Sequence, residues 1–361
     1  MLALARTRAV LERGVAEGLH AGAQLCVRRG GEIAGELALG LAGPDRALRP
    51  DSIVLWFSSV KPLMAVAIGQ LVERGLVAFD DPAAKHLPEF GANGKRAITL
   101  RHLLTHSAAI PNAHREWSRE SWDEILAKIC AAAPEPDWEI GRDCGYHVAS
   151  AWYVLGEIVR RRDGRSYDRY VREAIFAPLG LLDFWVGMSA ADYAANQERI
   201  APLYDATRGA PERSSFWAWS GSAEALALCR PGGSGWGTAR ALSGLYAALL
   251  RGDSPILRAD TVRCLTAPAL CGRDRIFQVV LERGLGVVLD SKAHGDGSAW
   301  YGRRASARSF GHGGYFSSVA FGDPEHALAV ALAWSCVAPP ASHQARLLDA
   351  LDALYFDLGA G

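Results

Sequence analysis

Phe57-Ser58-Ser59-Val60-Lys61-Pro62 leads into a run, Leu63 to Leu76, that is apolar on nearly every side. The run is too long for one strand, and a helix apolar all round belongs inside a protein. Pro62 marks where it starts, because a residue with no N–H is tolerated only in the first turn, where those groups have no intrahelical partner. The helix is therefore expected to open near Ser58 to Lys61, with Gly75 at its end. Ser58 and Lys61, three apart, then share one helix face. A helix N-terminus favours negative charge. A lysine in a partly desolvated cleft has its pKa pushed down and can take a proton from a neighbouring hydroxyl. These are the parts of a nucleophilic site.

The remaining composition narrows the setting. The chain has 361 residues, 50% of them hydrophobic, enough for a large core in one or two domains. Lys+Arg and Asp+Glu are 39 each, so nothing favours nucleic acid or an anionic membrane. No apolar run approaches the roughly 20 residues of a membrane span. Met1 to Leu19 alternates apolar residues with Arg6, Arg8, Glu12, Arg13 and Glu17, which reads as an amphipathic helix, not a secretory signal. Seven scattered cysteines with no C-x-x-C read as buried thiols in a reduced, cytoplasmic protein.

Ala23 to Arg28 and Ile33 to Leu39 flank Arg29-Gly30-Gly31-Glu32 and predict a hairpin. Thr99 to Ser107 reads as a short helix capped by Thr99. Its His102 and His106 have the i, i+4 spacing of a zinc pair, but Leu103 stands where the catalytic glutamate of H-E-x-x-H belongs, so buried hydrogen-bonding histidines are expected and no metal. Helices are predicted at Ala151 to Arg161, Tyr167 to Phe176, Ala239 to Leu250 and Ser342 to Phe356, and strands at Gly286 to Asp290, Ser317 to Phe321 and Ala327 to Trp334. Arg208 to Pro231 is irregular, with Phe216, Trp217 and Trp219. The glycine-rich run Gly232 to Thr238 follows no predicted strand, so a flexible pocket wall is expected of it and not a phosphate cradle, with Trp236 the preferred lining residue of an apolar pocket.

Three separated stretches fit one family: Ser58-Ser59-Val60-Lys61, Gly145-Tyr146-His147-Val148 running on to Gly156-Glu157, and Phe310-Gly311-His312-Gly313-Gly314-Tyr315. In this order and spacing they resemble the serine β-lactamase and penicillin-binding-protein superfamily, and most of all class C β-lactamases and family VIII carboxylesterases. The hairpin, Thr99 to Ser107 and Tyr167 to Gly180 run in the same order, so the resemblance covers most of the chain. It implies an α/β fold: an antiparallel sheet built from both termini and flanked by helices, with an all-helical insertion. The sheet domain would hold residues 1–79 and 285–361 and the mainly helical domain 80–284, with the active site in the cleft between them. It also implies that Ser58 is the acylated nucleophile, Lys61 its proton partner and Tyr146 the general base that later protonates the leaving group. The His312-Gly313-Gly314 strand would line the site, and the N–H groups of Ser58 and Tyr315 would form the oxyanion hole.

Two departures bear on substrate. Val148 replaces the asparagine of the class C Tyr-x-Asn motif, and His312 replaces the strand lysine that would meet a β-lactam carboxylate. Both argue against an efficient β-lactamase and suit an esterase acting on an uncharged acyl group. No G-x-S-x-G is present, which closes the α/β-hydrolase route. The expected function is a serine carboxylesterase on small esters, with an acyltransferase of the same fold as the alternative and a weak β-lactamase or D-amino-peptidase behind it. A small-molecule acyl donor is the expected partner. No metal or organic cofactor, nucleic acid or membrane is expected, and homo-oligomerisation is left open.

Overall fold

The computed structural model describes residues 1–113, 120–207 and 218–360. Phe216 and Trp217 lie outside the described residues.

The scaffold is an eight-stranded antiparallel sheet. Its strand order is Glu32–Gly40, Gly22–Arg29, Leu328–Trp334, Ser318–Asp323, Phe310–Gly314, Val288–Leu289, Val280–Arg283 and Leu270–Arg273. The chain's two ends meet as its second and third strands, where Ala23 lies opposite Trp334 and Arg29 opposite Leu328. The Leu328–Trp334 strand shows why the sheet is covered on both faces. Leu328, Val330, Leu332 and Trp334 point into one core with Leu11, Leu351 and Tyr355 of the terminal helices Ala5–Ala16 and Pro340–Asp357. Ala329, Ala331 and Ala333 alternate with them into the other core, where the Ala239–Leu250 helix lies. The period of two divides large side chains from small ones, and the alanines let that helix come close.

The expected buried helix is Lys61–Glu73, preceded by a 3-10 turn, Phe57–Val60. Every residue from Lys61 to Gly69 is buried, and so is Leu71. Burying each Leu or Ile here contributes about 1.5–3 kcal/mol. After Glu73 the Leu76 N–H bonds back to the Leu71 carbonyl, a helix stop completed across Gly75.

The resemblance's fold class holds: helices flank an antiparallel sheet built from both termini. Its domain boundary does not follow the sheet. Leu270–Arg273 and Val280–Arg283, placed in the helical insertion, are the last two strands of the main sheet. The insertion is not all-helical either. Gly235–Gly237 pairs with Val54–Leu55 on one side and Phe184–Val186 on the other in a three-stranded sheet, and Tyr204–Asp205 runs parallel to Cys336–Val337. These strands are two to four residues long, too short to leave a period in the sequence. No helix among the described residues is long and apolar enough to cross a membrane. All seven cysteines are free; Cys264 and Cys271 are exposed and Cys229 half-buried, which corrects the expectation of uniformly buried thiols.

Candidate active site

Ser58 lies in the 3-10 turn, one residue after Phe57, whose φ of +45° is in the left-handed region that non-glycine residues avoid. Strain of this kind persists only where the surroundings hold it. Here the Ser318 hydroxyl donates to the Trp56 carbonyl (2.8 Å) and meets the Ser59 hydroxyl (3.0 Å), so the turn is locked to the sheet. Gly314 makes the approach feasible. A Cβ there would sit 2.2 Å from Ser318 Oγ and 2.3 Å from the Trp56 carbonyl oxygen, so any side chain would push strand and turn apart. Tyr315 follows with its ring exposed against Phe57, ring centroids 5.7 Å apart. Among the described residues, the Ser58 and Tyr315 N–H groups have no hydrogen-bond acceptor.

Lys61 is fully buried at the start of the helix. Its ammonium donates to Ser58 Oγ (3.1 Å), the Val148 carbonyl (2.9 Å) and the Gly232 carbonyl (2.7 Å). Three acceptors match the three N–H bonds of an ammonium. The Tyr146 hydroxyl donates to the same Ser58 Oγ at 2.6 Å, and Lys61 Nζ lies 4.7 Å from the Tyr146 ring centroid. Ser58, Lys61 and Tyr146, which are 88 positions apart at the extremes, thus meet on one oxygen atom.

Tyr146 sits in a loop before the Ser150–Asp163 helix, and what holds that loop was not visible in the motifs. His106 accepts the His147 N–H on Nδ1 (2.8 Å) and lays its ring against Tyr146 (4.9 Å) and Trp152 (5.4 Å). Asp274 accepts the N–H groups of Tyr146, Ile276 and Phe277 on one oxygen and pairs with buried Arg283 through the other. Phe277 is thereby held against Tyr146, ring centroids 4.6 Å apart and planes tilted by 36°. The helix expected over Thr99 to Ser107 is only Leu100–Leu104, so His106 (φ +60°) and His102 do not share a helix face. Each accepts a backbone N–H on Nδ1, as expected of structural histidines.

His312 is buried on the Phe310–Gly314 strand with its ring 5.9 Å from Tyr146 and 5.6 Å from Trp300. Burial, and then the nearby Lys61 charge, push its pKa down to about 3, so it is neutral at ordinary pH. His147 is held at about 3 by burial, Arg283 and Lys61. Gly313 lies beside Trp300. Val148 enters the site through its carbonyl, which holds Lys61. Trp236 is a correction. It is the middle residue of a strand and fully buried among Leu55, Phe57, Trp185 and Met188, so it offers no surface to a ligand. The glycine-rich run is not a flexible wall. Gly232 is wedged against Trp152 and the Val148 carbonyl, 2.7 and 2.9 Å from where a Cβ would be, and its own carbonyl holds Lys61.

A serine hydroxyl shared by a buried lysine and a tyrosine, between a helix start and an antiparallel strand, defines the acyl-serine enzymes of the β-lactamase and transpeptidase fold. The chain belongs to the Beta-lactamase family, whose model matches residues 7–355. It is similar to the Esterase/beta-lactamase LipL of Mycobacterium tuberculosis, 28% identical over 307 residues that cover 78% of this chain and 69% of LipL. Among solved structures it is similar to a penicillin-binding-protein homologue from Caulobacter crescentus, with 30% identity and a TM-score of 0.84 over 98% of this chain and 97% of that one. It is also similar to a family VIII carboxylesterase, with 25% identity and a TM-score of 0.80 over the same shares. The protein is an enzyme, a serine hydrolase of this superfamily.

Proposed function

We propose that the protein is a carboxylesterase that cleaves small uncharged esters through an acyl-Ser58 intermediate. The observation that carries this reading is the convergence of Lys61 Nζ (3.1 Å) and Tyr146 OH (2.6 Å) on Ser58 Oγ. Ser58 Oγ bonds to the ester carbonyl carbon as its proton passes to the Lys61–Tyr146 pair. The pair accepts it when one proton short, a state the two groups share. The oxyanion then lies against the N–H groups of Ser58 and Tyr315. Collapse breaks the bond to the leaving oxygen, the pair returns the proton, and an alcohol departs. Water repeats the sequence on the acyl-enzyme and frees the acid.

Neutral His312 supports an uncharged substrate, since the strand offers no fixed cation to a carboxylate. The apolar rims at Phe277 and Tyr315 support it as well. The test is intact-mass spectrometry after mixing with p-nitrophenyl butyrate, with and without a panel of amines and alcohols, and with Ser58→Ala as control. An adduct on the wild type that clears in water supports the esterase. One that persists until an acceptor is added replaces it with the acyltransferase. An adduct on Ser58→Ala would move the nucleophile elsewhere.

A further inference from the structure

Three potential metal ligands that the acyl-transfer site does not use come together at the far edge of the main sheet. Cys271 on the edge strand Leu270–Arg273 lies directly opposite Glu282 on Val280–Arg283. Directly opposed residues share a face of the sheet, with Cβ atoms about 4.5–5.5 Å apart. His294 reaches the same face from the 3-10 turn Lys292–His294. Its Nε2 lies 3.2 Å from Glu282 Oε1 and 4.0 Å from Cys271 Sγ, and the three donor atoms all fall within 4.8 Å of one another.

We propose that Cys271, Glu282 and His294 form a binding site for a zinc-class divalent cation, separate from the acyl-transfer site. Zinc–ligand bonds at tetrahedral angles place sulfur and nitrogen about 3.6 Å apart, and nitrogen and oxygen about 3.4 Å apart. The observed separations differ from these by a few tenths of an ångström, within reach of a χ adjustment on the exposed side chains. The donor set selects the cation. One thiolate, one imidazole and one carboxylate suit zinc and its neighbours, whereas calcium and magnesium want oxygen alone. Three protein ligands leave the fourth position to water.

The framework under the ligands is held before any ion arrives. The Ser291 hydroxyl accepts the Glu282 N–H (2.9 Å) and donates to the Leu289 carbonyl (2.9 Å), while the His294 N–H bonds to the Ser291 carbonyl (2.9 Å). Ser291 thus ties the turn that carries His294 to the strand that carries Glu282. The ligand spacing in sequence, 271, 282 and 294, has no close pair, which is why no metal motif was visible there.

The experiment is a Co2+ titration of the reduced, chelator-dialysed protein. We expect one equivalent to produce a near-ultraviolet thiolate-to-cobalt charge-transfer band with the strong visible bands of a tetrahedral ion, both removed by Zn2+. Cys271→Ser should abolish the charge-transfer band, and His294→Ala should weaken binding by more than about 100-fold, beyond the roughly 10–100-fold that loss of an outer-shell partner costs. Cys264→Ser, at the other exposed thiol, should leave the titration unchanged. Cobalt bound without a thiolate band, unchanged affinity in Cys271→Ser, or no binding by the wild type would each overturn the proposal. Cys271, His294 and Cys264 are all exposed, so loss of folding does not confound the three variants.

Discussion

Lys61 and Lys95 are both fully buried, and each is gripped by three oxygen atoms. Lys95 donates to the carbonyls of Ala92, Cys130 and Ala132, and burial lowers its pKa. It ties the start of the insertion to the end of the Trp122–Ala131 helix. Lys61 differs in one partner: a serine hydroxyl replaces the third carbonyl, and a tyrosine hydroxyl reaches the same oxygen. A carbonyl can only accept, so Lys95 has nowhere to send a proton and no proton to collect. A hydroxyl both gives and takes. Burial of a lysine is thus no mark of chemistry by itself; the mark is a neighbour that can exchange a proton with it.

Substituting the lysines separately gives the largest contrast. Lys61→Met should lower kcat/KM for p-nitrophenyl butyrate by about 10³-fold or more, within the range that loss of an activated nucleophile's base produces. Lys95→Met should leave the folded enzyme within about twofold of wild type. Equal losses in both would end the distinction. Next comes Tyr146→Phe, which keeps the ring against His106 and Phe277 but removes the hydroxyl on Ser58. Acylation followed by stopped-flow p-nitrophenol release should slow about 10²–10⁴-fold, with an unchanged melting temperature.

Stability reverses the order of interest. Lys95→Met strands carbonyls that had a charged donor, and urea unfolding should show a loss of about 1–3 kcal/mol. A loss near zero would mean that water reaches those carbonyls. The smallest effect is the most local. Burial lowers the pKa values of His312 and His147, and the Lys61 charge adds to it in both. Removing that charge should raise both, and imidazole NMR titrations of Lys61→Met should show the upward move, whereas Lys95→Met should show none. The sign carries into stability. A histidine with a folded pKa near 3 and an ordinary unfolded value binds its proton only when unfolded over the interval between. The fold therefore weakens as pH falls from about 6.5 towards 3, by about 1.4 kcal/mol per pH unit for each such histidine.

The comparison also shows which features a sequence displays. Lys61 announces itself because Pro62 and the apolar run fix a helix start beside it, and Ser58, Tyr146 and His312 stand in motifs whose order is informative. Lys95 carries no local signal, since its partners are backbone carbonyls at Ala92, Cys130 and Ala132, and any residue type supplies a carbonyl. The same reason hid Gly232 and the true part played by Val148, which hold Lys61 through main-chain oxygen. Asp274 and Arg283 were hidden because the strands around them are short and belong to a sheet that closes only in three dimensions. Trp236 was misread because a strand of three residues flanked by glycines looks like a loop.

The sheet's topology has a consequence for synthesis. Ser59 and its strand partner Ser318 are 259 positions apart in the chain. At a ribosomal pace of about 5–20 residues per second, the turn that carries Ser58 waits roughly 13–50 s for the strand that locks it. Throughout that interval the buried helix that follows the turn is made while the later strands of the main sheet are still missing. The turn that carries Ser58 gains this lock only once the third strand from the end of the chain, Ser318–Asp323, has been translated.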